Sequence, residues 1–157
     1  MRNKSVSIKR PSWDEYFMML ADVTKKRADC IRGSRAAILV KKNRIIATGY
    51  NGTPHGIKNC SEGGCIRCQK REKGEIERYQ FEESCVCIHA EQNAIIQAAY
   101  HGSSTKGGTL YATLSPCSTC SKMIINAGIQ RVICKDLHHD QIAIQLLKQA
   151  DIVVEFK

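Results

Sequence analysis

Cysteine is the residue that most constrains how this chain can fold, because nine cysteines occur among its 157 residues. The first residues are basic but lack the apolar segment of a secretory signal, so we expect a cytoplasmic location and reduced thiols. Clustered reduced thiols are typical of metal sites, whereas an isolated cysteine usually packs as a small apolar residue. The isolated case suits Cys134. The other eight are candidate metal ligands: Cys30, Cys60, Cys65, Cys68, Cys85, Cys87, Cys117 and Cys120.

Charge and composition restrict the class of protein without naming a function. The chain has 24 basic and 15 acidic residues and a net charge of +9, which favours anionic partners such as nucleotides or nucleic acids. A solvated basic surface with no specific partner explains the same surplus equally well. Hydrophobic residues make up 43% of the chain but never form a run of about 18, so no membrane span is expected.

The pattern of apolar residues predicts an α/β protein. "SWDEYFMMLADVTKKRA" has a capping serine at Ser12 and acids in its first turn, which indicates a helix. "RAAILVKKNRIIATGYNG" predicts a β-hairpin that turns at Lys41, Lys42 and Asn43. Helices are then predicted at 89–101, 117–127 and 139–150, and strands at "GGTLYATLS", "QRVICK" and "DIVVEF". This alternation favours one domain, residues 1–157, with helices packed on a mixed five-stranded sheet.

Residues 52–88 interrupt this alternation. They contain five cysteines, many charges and little periodicity, so we interpret them as a cysteine-rich insertion that needs a crosslink to become ordered.

Two short motifs carry the candidate chemistry. "SPCSTC" places Cys117 and Cys120 near the first turn of a helix, where the helix dipole favours the thiolate form that binds zinc. "HAE" adds His89 as a third ligand and Glu91 beside it. Three protein ligands leave one coordination position open for water, which is typical of a catalytic zinc. Glu91 is then placed to carry a proton between water and substrate. The pattern H-x-E followed by P-C-x-x-C is the known signature of zinc deaminases.

Longer segments sharpen this assignment. "WDEYFMMLA", "GYNGTPHGIKNC", "HAEQNAIIQAA" and "YATLSPCSTCSKMIINAGI" resemble the deoxycytidylate (dCMP) deaminase family of the zinc-dependent cytidine deaminase superfamily, over residues 11–154. The resemblance implies a three-layer α/β/α fold and hydrolytic deamination of dCMP to dUMP and ammonia, which supplies dUMP for thymidylate synthesis. It also implies a zinc ion on His89, Cys117 and Cys120, with Glu91 as the proton carrier.

The resemblance further implies a set of substrate contacts. These are Asn51, Gly52, Ala90, Ser115 and His138, with Thr53 near the phosphate. Taken without the family, "NG" at 51–52 is better explained as a plain turn signal, and the family context reverses this preference. Three residues depart from the family pattern. Arg35 and Ala36 stand where a Val-Gly-Ala-like run is usual, and His138 stands where many relatives have an aromatic residue.

A second, structural zinc is expected in the cysteine-rich insertion. Three cysteines match positions that hold such a metal in some relatives, and three others compete for the remaining place: Cys30, Cys60 and Cys87 match, while Cys65, Cys68 and Cys85 compete. The alternative is a loop of reduced thiols without metal.

The family resemblance also implies a homo-oligomer, with a hexamer favoured, that is activated by dCTP and inhibited by dTTP. The alternative functions are a deaminase that acts on dCTP or on a nucleic-acid base, and a zinc module without catalysis. Nucleic acid is disfavoured because the chain has only three Phe, five Tyr and one Trp for stacking bases. A module without catalysis would not need Glu91.

Overall fold

The computed structural model describes residues 9–77 and 85–157. Residues 1–8 and 78–84, which contain the predicted N-terminal segment and part of the predicted insertion, lie outside the described residues. Within the described ranges, the helices are all too short or too polar to cross a membrane.

The first helix begins where the sequence predicts it. Helix α1 spans Trp13–Thr24 and is followed by a 3-10 turn at Lys25–Arg27. Ser12 and Glu15 form a reciprocal capping box: the Glu15 N–H donates to Ser12 Oγ at 3.3 Å, and the Ser12 N–H donates to Glu15 Oε2 at 2.7 Å. These bonds satisfy two backbone N–H groups that a helix start otherwise leaves without partners.

The predicted hairpin is also present. Strand β1 spans Ala36–Lys41 and strand β2 spans Arg44–Tyr50. The turn between them contains Lys42 and Asn43, whose φ angles of 50° and 56° are left-handed, as a tight two-residue hairpin turn requires.

The rest of the chain alternates between helices and strands: α2 (Ile66–Glu72), α3 (Ala90–Tyr100), β3 (Thr109–Leu114), α4 (Ser118–Asn126), β4 (Arg131–Asp136), α5 (Gln141–Gln149) and β5 (Val153–Phe156). The strands form one sheet in the order β2-β1-β3-β4-β5. Strand β1 is antiparallel to β2 and β3, whereas β3, β4 and β5 are parallel. The prediction of a mixed five-stranded sheet is therefore confirmed. Helix α2 was not predicted.

Alternating side chains of each strand place the helices on both faces of the sheet. On one face, Ala37 and Leu39 of β1 share a core with α3, α4 and α5. On the other face, Ile38 and Val40 pack against α1. All four side chains are almost completely buried, which is the period-2 pattern of a strand covered on both sides. The predicted three-layer architecture is confirmed.

Partly buried charges attach α1 to the sheet. Arg131 of β4 donates two hydrogen bonds to the Asp14 carboxylate, at 3.0 and 2.9 Å, and it also pairs with Glu155. The hydrogen bond from Arg131 outweighs burial and lowers the pKa of Asp14. This ion pair fixes the angle at which α1 crosses the sheet.

The strand directions determine where a site can form. Since β2 and β3 are both antiparallel to β1, they run in the same direction and their carboxyl ends meet at one edge of the sheet. The end of β4 lies at the same edge, because β4 is parallel to β3. Ligand sites of α/β proteins typically lie outside the carboxyl ends of the strands.

Close packing of β2 against α3 requires a glycine at position 49. A Cβ atom on Gly49 would overlap the backbone oxygen of Ala90 and the backbone nitrogen of Ala94. The first turn of α3, which carries Glu91, therefore lies directly on the β2 backbone.

We expect Gly49→Ala to lower the free energy of unfolding by about 1–3 kcal/mol, because overpacking displaces the start of α3. Denaturant unfolding measures this change. Thr48→Ala, an exposed change on the same strand, is the matched control. Equal unfolding free energies for the two variants would contradict the close approach.

Candidate active site

The "HAE" motif lies at the start of α3, with His89 as the residue that precedes the helix. Just upstream, Ile88 pairs with Gly52 through two backbone hydrogen bonds: the Gly52 N–H donates to the Ile88 oxygen at 3.3 Å, and the Ile88 N–H donates to the Gly52 oxygen at 2.8 Å. The His89 N–H donates to Gln92 Oε1 at 2.9 Å. These bonds fix the backbone on both sides of His89.

The "PCSTC" motif lies where β3 gives way to α4. Cys117 precedes the helix, and Cys120 is completely buried in its first turn. The Ser118 N–H donates to Asp140 Oδ2 at 2.8 Å, and the other oxygen of Asp140 accepts from the Ala143 N–H at 3.0 Å. Asp140 therefore ties the start of α4 to the start of α5.

The two motifs bring three metal-binding atoms together. His89 Nδ1 lies 3.5 Å from the Cys117 sulfur and 3.4 Å from the Cys120 sulfur, and all three ligand atoms lie within 4.8 Å of one another. A tetrahedral zinc ion with Zn–S of about 2.3 Å and Zn–N of about 2.0–2.1 Å separates N from S by about 3.6 Å. The three side chains therefore fit a zinc ion with one open position.

Burial and hydrogen bonds perturb the ionisable groups of this site. Burial raises the pKa of Glu91, whose side chain is only 8% exposed. The hydrogen bond from Cys120 lowers the pKa of Cys117 to about 3, against the effect of burial. The same hydrogen bond, together with burial, raises the pKa of Cys120. The hydrogen bond with Cys117 raises the pKa of His89.

A cavity of about 560 Å³ opens beside these residues at the carboxyl edge of the sheet. Most of the predicted site residues line it: Asn51, His89, Ala90, Glu91, Ser115, Cys117 and His138. Gly52 does not line it, but its pairing with Ile88 positions the neighbouring His89. A cavity of this size and shape is typical of a small-molecule site.

The Asn51 amide holds the wall of the cavity. Asn51 Oδ1 accepts from the Arg35 N–H at 2.7 Å, and Asn51 Nδ2 donates to the Gly33 oxygen at 2.8 Å. One N–H and one lone pair of the amide remain for a ligand. Direct contact between Asn51 and a nucleotide stays a prediction.

Ser115 positions the segment that carries His138. The His138 N–H donates to Ser115 Oγ at 2.7 Å, and Ser115 itself is buried. Nδ1 of His138 is buried without a hydrogen-bond partner among the described residues. His138 lines the cavity, but contact between His138 and a substrate stays a prediction.

Three arginines line the cavity: Arg32, Arg35 and Arg71. From the sequence, Arg35 stands out as a departure from the family pattern that either contacts a phosphate or is a solvated strand residue, whereas Arg32 and Arg71 were not singled out. Arg32 pairs with Glu72 of α2 at 2.6 Å, and Arg71 is part of α2 itself. Basic residues follow Cys65 and Cys68 in the sequence, and they were the available signal for Arg71. They were interpreted only as part of the charge of an insertion.

The structure also gathers the six remaining candidate ligands, and all nine cysteines of the chain are free thiols. Cys30, Cys60, Cys68 and Cys87 form one group whose sulfur atoms lie within 4.8 Å of one another. Cys65, Cys68, Cys85 and Cys87 form another such group. Each group matches the four-thiolate pattern of a structural zinc site.

Comparison with known proteins identifies the family. The model of the cytidine and deoxycytidylate deaminase zinc-binding region matches residues 11–136. The chain belongs to this deaminase family. The deoxycytidylate deaminase of Mycobacterium phage D29 is 39% identical over 128 residues, which cover 79% of this chain and 94% of that protein. The deoxycytidylate deaminase of Saccharomyces cerevisiae is 38% identical over 146 residues, which cover 92% of this chain.

Solved structures of deaminases support the same assignment. The dCMP deaminase from the cyanophage S-TIM5, in complex with dCMP and dUMP, has a TM-score of 0.76 and 32% identity, over 96% of this chain and 100% of that chain. Some relatives are much longer: the deaminase chain spans 45% of the Saccharomyces cerevisiae protein and 37% of the Schizosaccharomyces pombe protein.

We expect Cys117→Ser and Cys120→Ser each to lose one zinc ion per chain relative to the unaltered protein, because two ligands hold a structural or catalytic zinc poorly. Metal analysis of the purified variants measures the loss. Cys134→Ala, at a buried cysteine outside all three groups, is the control and should keep its zinc. Full zinc content in both serine variants would show that this trio is not a zinc site.

Proposed function

We propose that this chain catalyses the hydrolytic deamination of dCMP to dUMP and ammonia, with a zinc ion on His89, Cys117 and Cys120. The observation that carries the proposal is the position of Glu91: a buried carboxyl group next to a three-ligand zinc site, in a cavity lined by arginines. The names of the phage and yeast relatives, and the dCMP and dUMP in the S-TIM5 deaminase structure, support the same reaction. A zinc ion at this site supplies a Lewis acid that makes water nucleophilic near neutral pH.

Glu91 acts as the proton carrier. Its carboxyl group lies in the first turn of α3, two residues after His89, and is buried. From there it takes a proton from the attacking water and gives a proton to the departing amino group at C4 of cytosine. Proton transfer of this kind by a positioned side chain typically contributes about 10²–10⁴-fold to a rate.

The cavity supports a monophosphate substrate. Its volume of about 560 Å³ is within the range of small-molecule sites. Arg32, Arg35 and Arg71 provide a concentration of positive charge at its wall, and guanidinium groups bind phosphate oxygens through paired, charge-assisted hydrogen bonds. Asn51 and His138 supply polar atoms for the base and sugar.

A structural zinc in the cysteine-rich insertion completes the proposal. Four sulfur atoms that surround one point, such as those of Cys30, Cys60, Cys68 and Cys87, provide the closed coordination of a structural site. Cys87 lies two residues before His89, so a metal ion here also restrains the catalytic ligand.

The alternative substrates are dCTP and a base in nucleic acid. Turnover of dCTP, RNA and single-stranded DNA, compared with turnover of dCMP, separates these alternatives. The oligomeric state, the control by dCTP and dTTP, the single-domain organisation and the cytoplasmic location stay predictions.

Glu91→Gln should lower kcat by about 10²–10⁴-fold while the zinc content stays unchanged, because glutamine keeps the shape of the side chain but cannot carry the proton. Steady-state release of ammonia from dCMP and metal analysis of the same sample measure both quantities. Undiminished turnover by Glu91→Gln would exclude Glu91 as the proton carrier, and an inactive unaltered protein would favour the zinc module without catalysis.

Loss of a cavity arginine should weaken binding of the phosphate. We expect Arg35→Ala and Arg71→Ala to lower kcat/KM for dCMP roughly 10–100-fold, which is about the contribution of a hydrogen bond to a charged group, with little change for deoxycytidine. Arg67→Ala, on the same helix as Arg71 but outside the cavity wall, is the matched control. Assays on dCMP, dCTP, deoxycytidine, RNA and single-stranded DNA measure the preference. Equal efficiency of the unaltered protein on dCMP and deoxycytidine would contradict the monophosphate assignment.

A further inference from the structure

The two groups of cysteine sulfurs overlap. Cys68 and Cys87 belong to both groups, whereas Cys30 and Cys60 belong only to the first and Cys65 and Cys85 only to the second. Two tetrahedra that share two corners share an edge. The six sulfur atoms therefore form two overlapping groups of four, and two tetrahedral metal sites built on these groups would share an edge.

The spacing of the sulfurs agrees with metal–thiolate geometry. A tetrahedral site with Zn–S bonds of about 2.3 Å has sulfur atoms about 3.8 Å apart. The Cys85 sulfur lies 3.8 Å from the Cys65 sulfur and 3.8 Å from the Cys68 sulfur. These distances belong to the second group, which a single zinc ion on the first group would leave without a metal.

We propose that the six cysteines bind two zinc ions as a binuclear thiolate cluster. Cys30 and Cys60 are the terminal ligands of one ion, Cys65 and Cys85 are the terminal ligands of the other, and Cys68 and Cys87 bridge the two. Six thiolates and two divalent ions leave the same net charge, two negative, as a zinc ion with four thiolates. The cluster extends the single structural zinc proposed above, and it does not depend on the deamination reaction.

The surroundings of Cys65 fit a metal-bound thiolate better than a spare thiol. Cys65 is completely buried, and its sulfur lies 3.8 Å from the Cys85 sulfur. Its neighbours include the sulfurs of Cys68, Cys85 and Cys87, whereas an inert buried cysteine is typically surrounded by apolar groups. Cys85 brings a second sulfur to the same place from the other side of the insertion.

The insertion has little else to hold it together. Its local core consists of Cys60, Cys65 and Cys68, with Cys30, Ile31 and Cys87 packed against them. Ile31 is the one large apolar side chain of that cluster within the described residues. Metal–thiolate bonds therefore have to replace the burial of apolar surface, as they do in other small metal-dependent folds.

The second ion would position part of the substrate cavity. Its ligands Cys65 and Cys68 lie immediately before and within α2, the helix that carries Arg71 into the cavity wall. The bridging Cys87 lies two residues before His89. The cluster thus connects one arginine of the cavity and one ligand of the active site to a single rigid unit.

Metal stoichiometry in a Cys117→Ser background tests the cluster separately from the active site. Native mass spectrometry of this variant, purified under reducing conditions, should show two zinc ions per chain. One zinc ion per chain overturns the proposal. Adding Cys65→Ala and Cys85→Ala to this background should remove one of these two ions, whereas adding Cys134→Ala should remove none. Retention of two ions in the Cys65/Cys85 variant also overturns the proposal.

Cadmium NMR provides a readout that does not require the multiple variants to fold. After zinc is exchanged for ¹¹³Cd in the unaltered protein, the cluster should give two thiolate-type resonances that are scalar-coupled to each other, because two sulfurs bridge the ions. A single cluster resonance, or two resonances without mutual coupling, overturns the bridged arrangement. Since neither experiment measures turnover, an inactive protein with two coupled ions would refute only the proposed function.

Discussion

Two backbone hydrogen bonds between Gly52 and Ile88 hold the segment that carries both a cysteine of the insertion and the histidine of the active site. On one side they continue from β2, whose direction is fixed by its antiparallel pairing with β1. On the other side they hold Ile88 between Cys87 and His89, so the cysteine cluster and the active-site trio flank one backbone pairing. Displacing this pairing would move both groups of ligands together, although neither Gly52 nor Ile88 has a side chain that binds metal.

The regular elements could be predicted from the sequence because each has a strong local signal. Ser12 with Glu15 marks a helix start, and the alternating burial of 36–40 marks a strand covered on both faces. Helix α2 has no such signal. It has seven residues, includes a cysteine at its buried position and exposes Ile66, so neither helical periodicity nor an apolar face distinguishes it from a loop. Its order depends on tertiary contacts with other cysteines, which are distant in sequence.

The active site likewise combines residues that have a local sequence signal with residues that have none. The trio of His89, Cys117 and Cys120 could be assigned from motifs because the spacing of each motif directly determines which side chains begin a helix. The structural role of Asn51 could not be predicted in this way. Both ends of its side-chain amide form hydrogen bonds with the backbone of a loop that lies 16–18 residues earlier in the sequence. Arg71 was missed for a related reason: its place in the cavity wall follows from the position of α2, and α2 follows from the cluster.

The structure shows where part of the excess positive charge of the chain lies. A net charge of +9 is compatible with many anionic partners, but three arginines gather at the wall of the cavity that contains Glu91. One of them, Arg32, already pairs with Glu72, so its positive charge is partly neutralised unless an anion competes for it. Arg35 belongs to the loop before β1, and Arg71 belongs to α2 in the insertion. The proposed phosphate binding by Arg71 therefore depends on the position of the insertion, whose local core within the described residues consists of cysteines and Ile31. A metal–thiolate cluster, as proposed above, would fix this position in place of apolar packing.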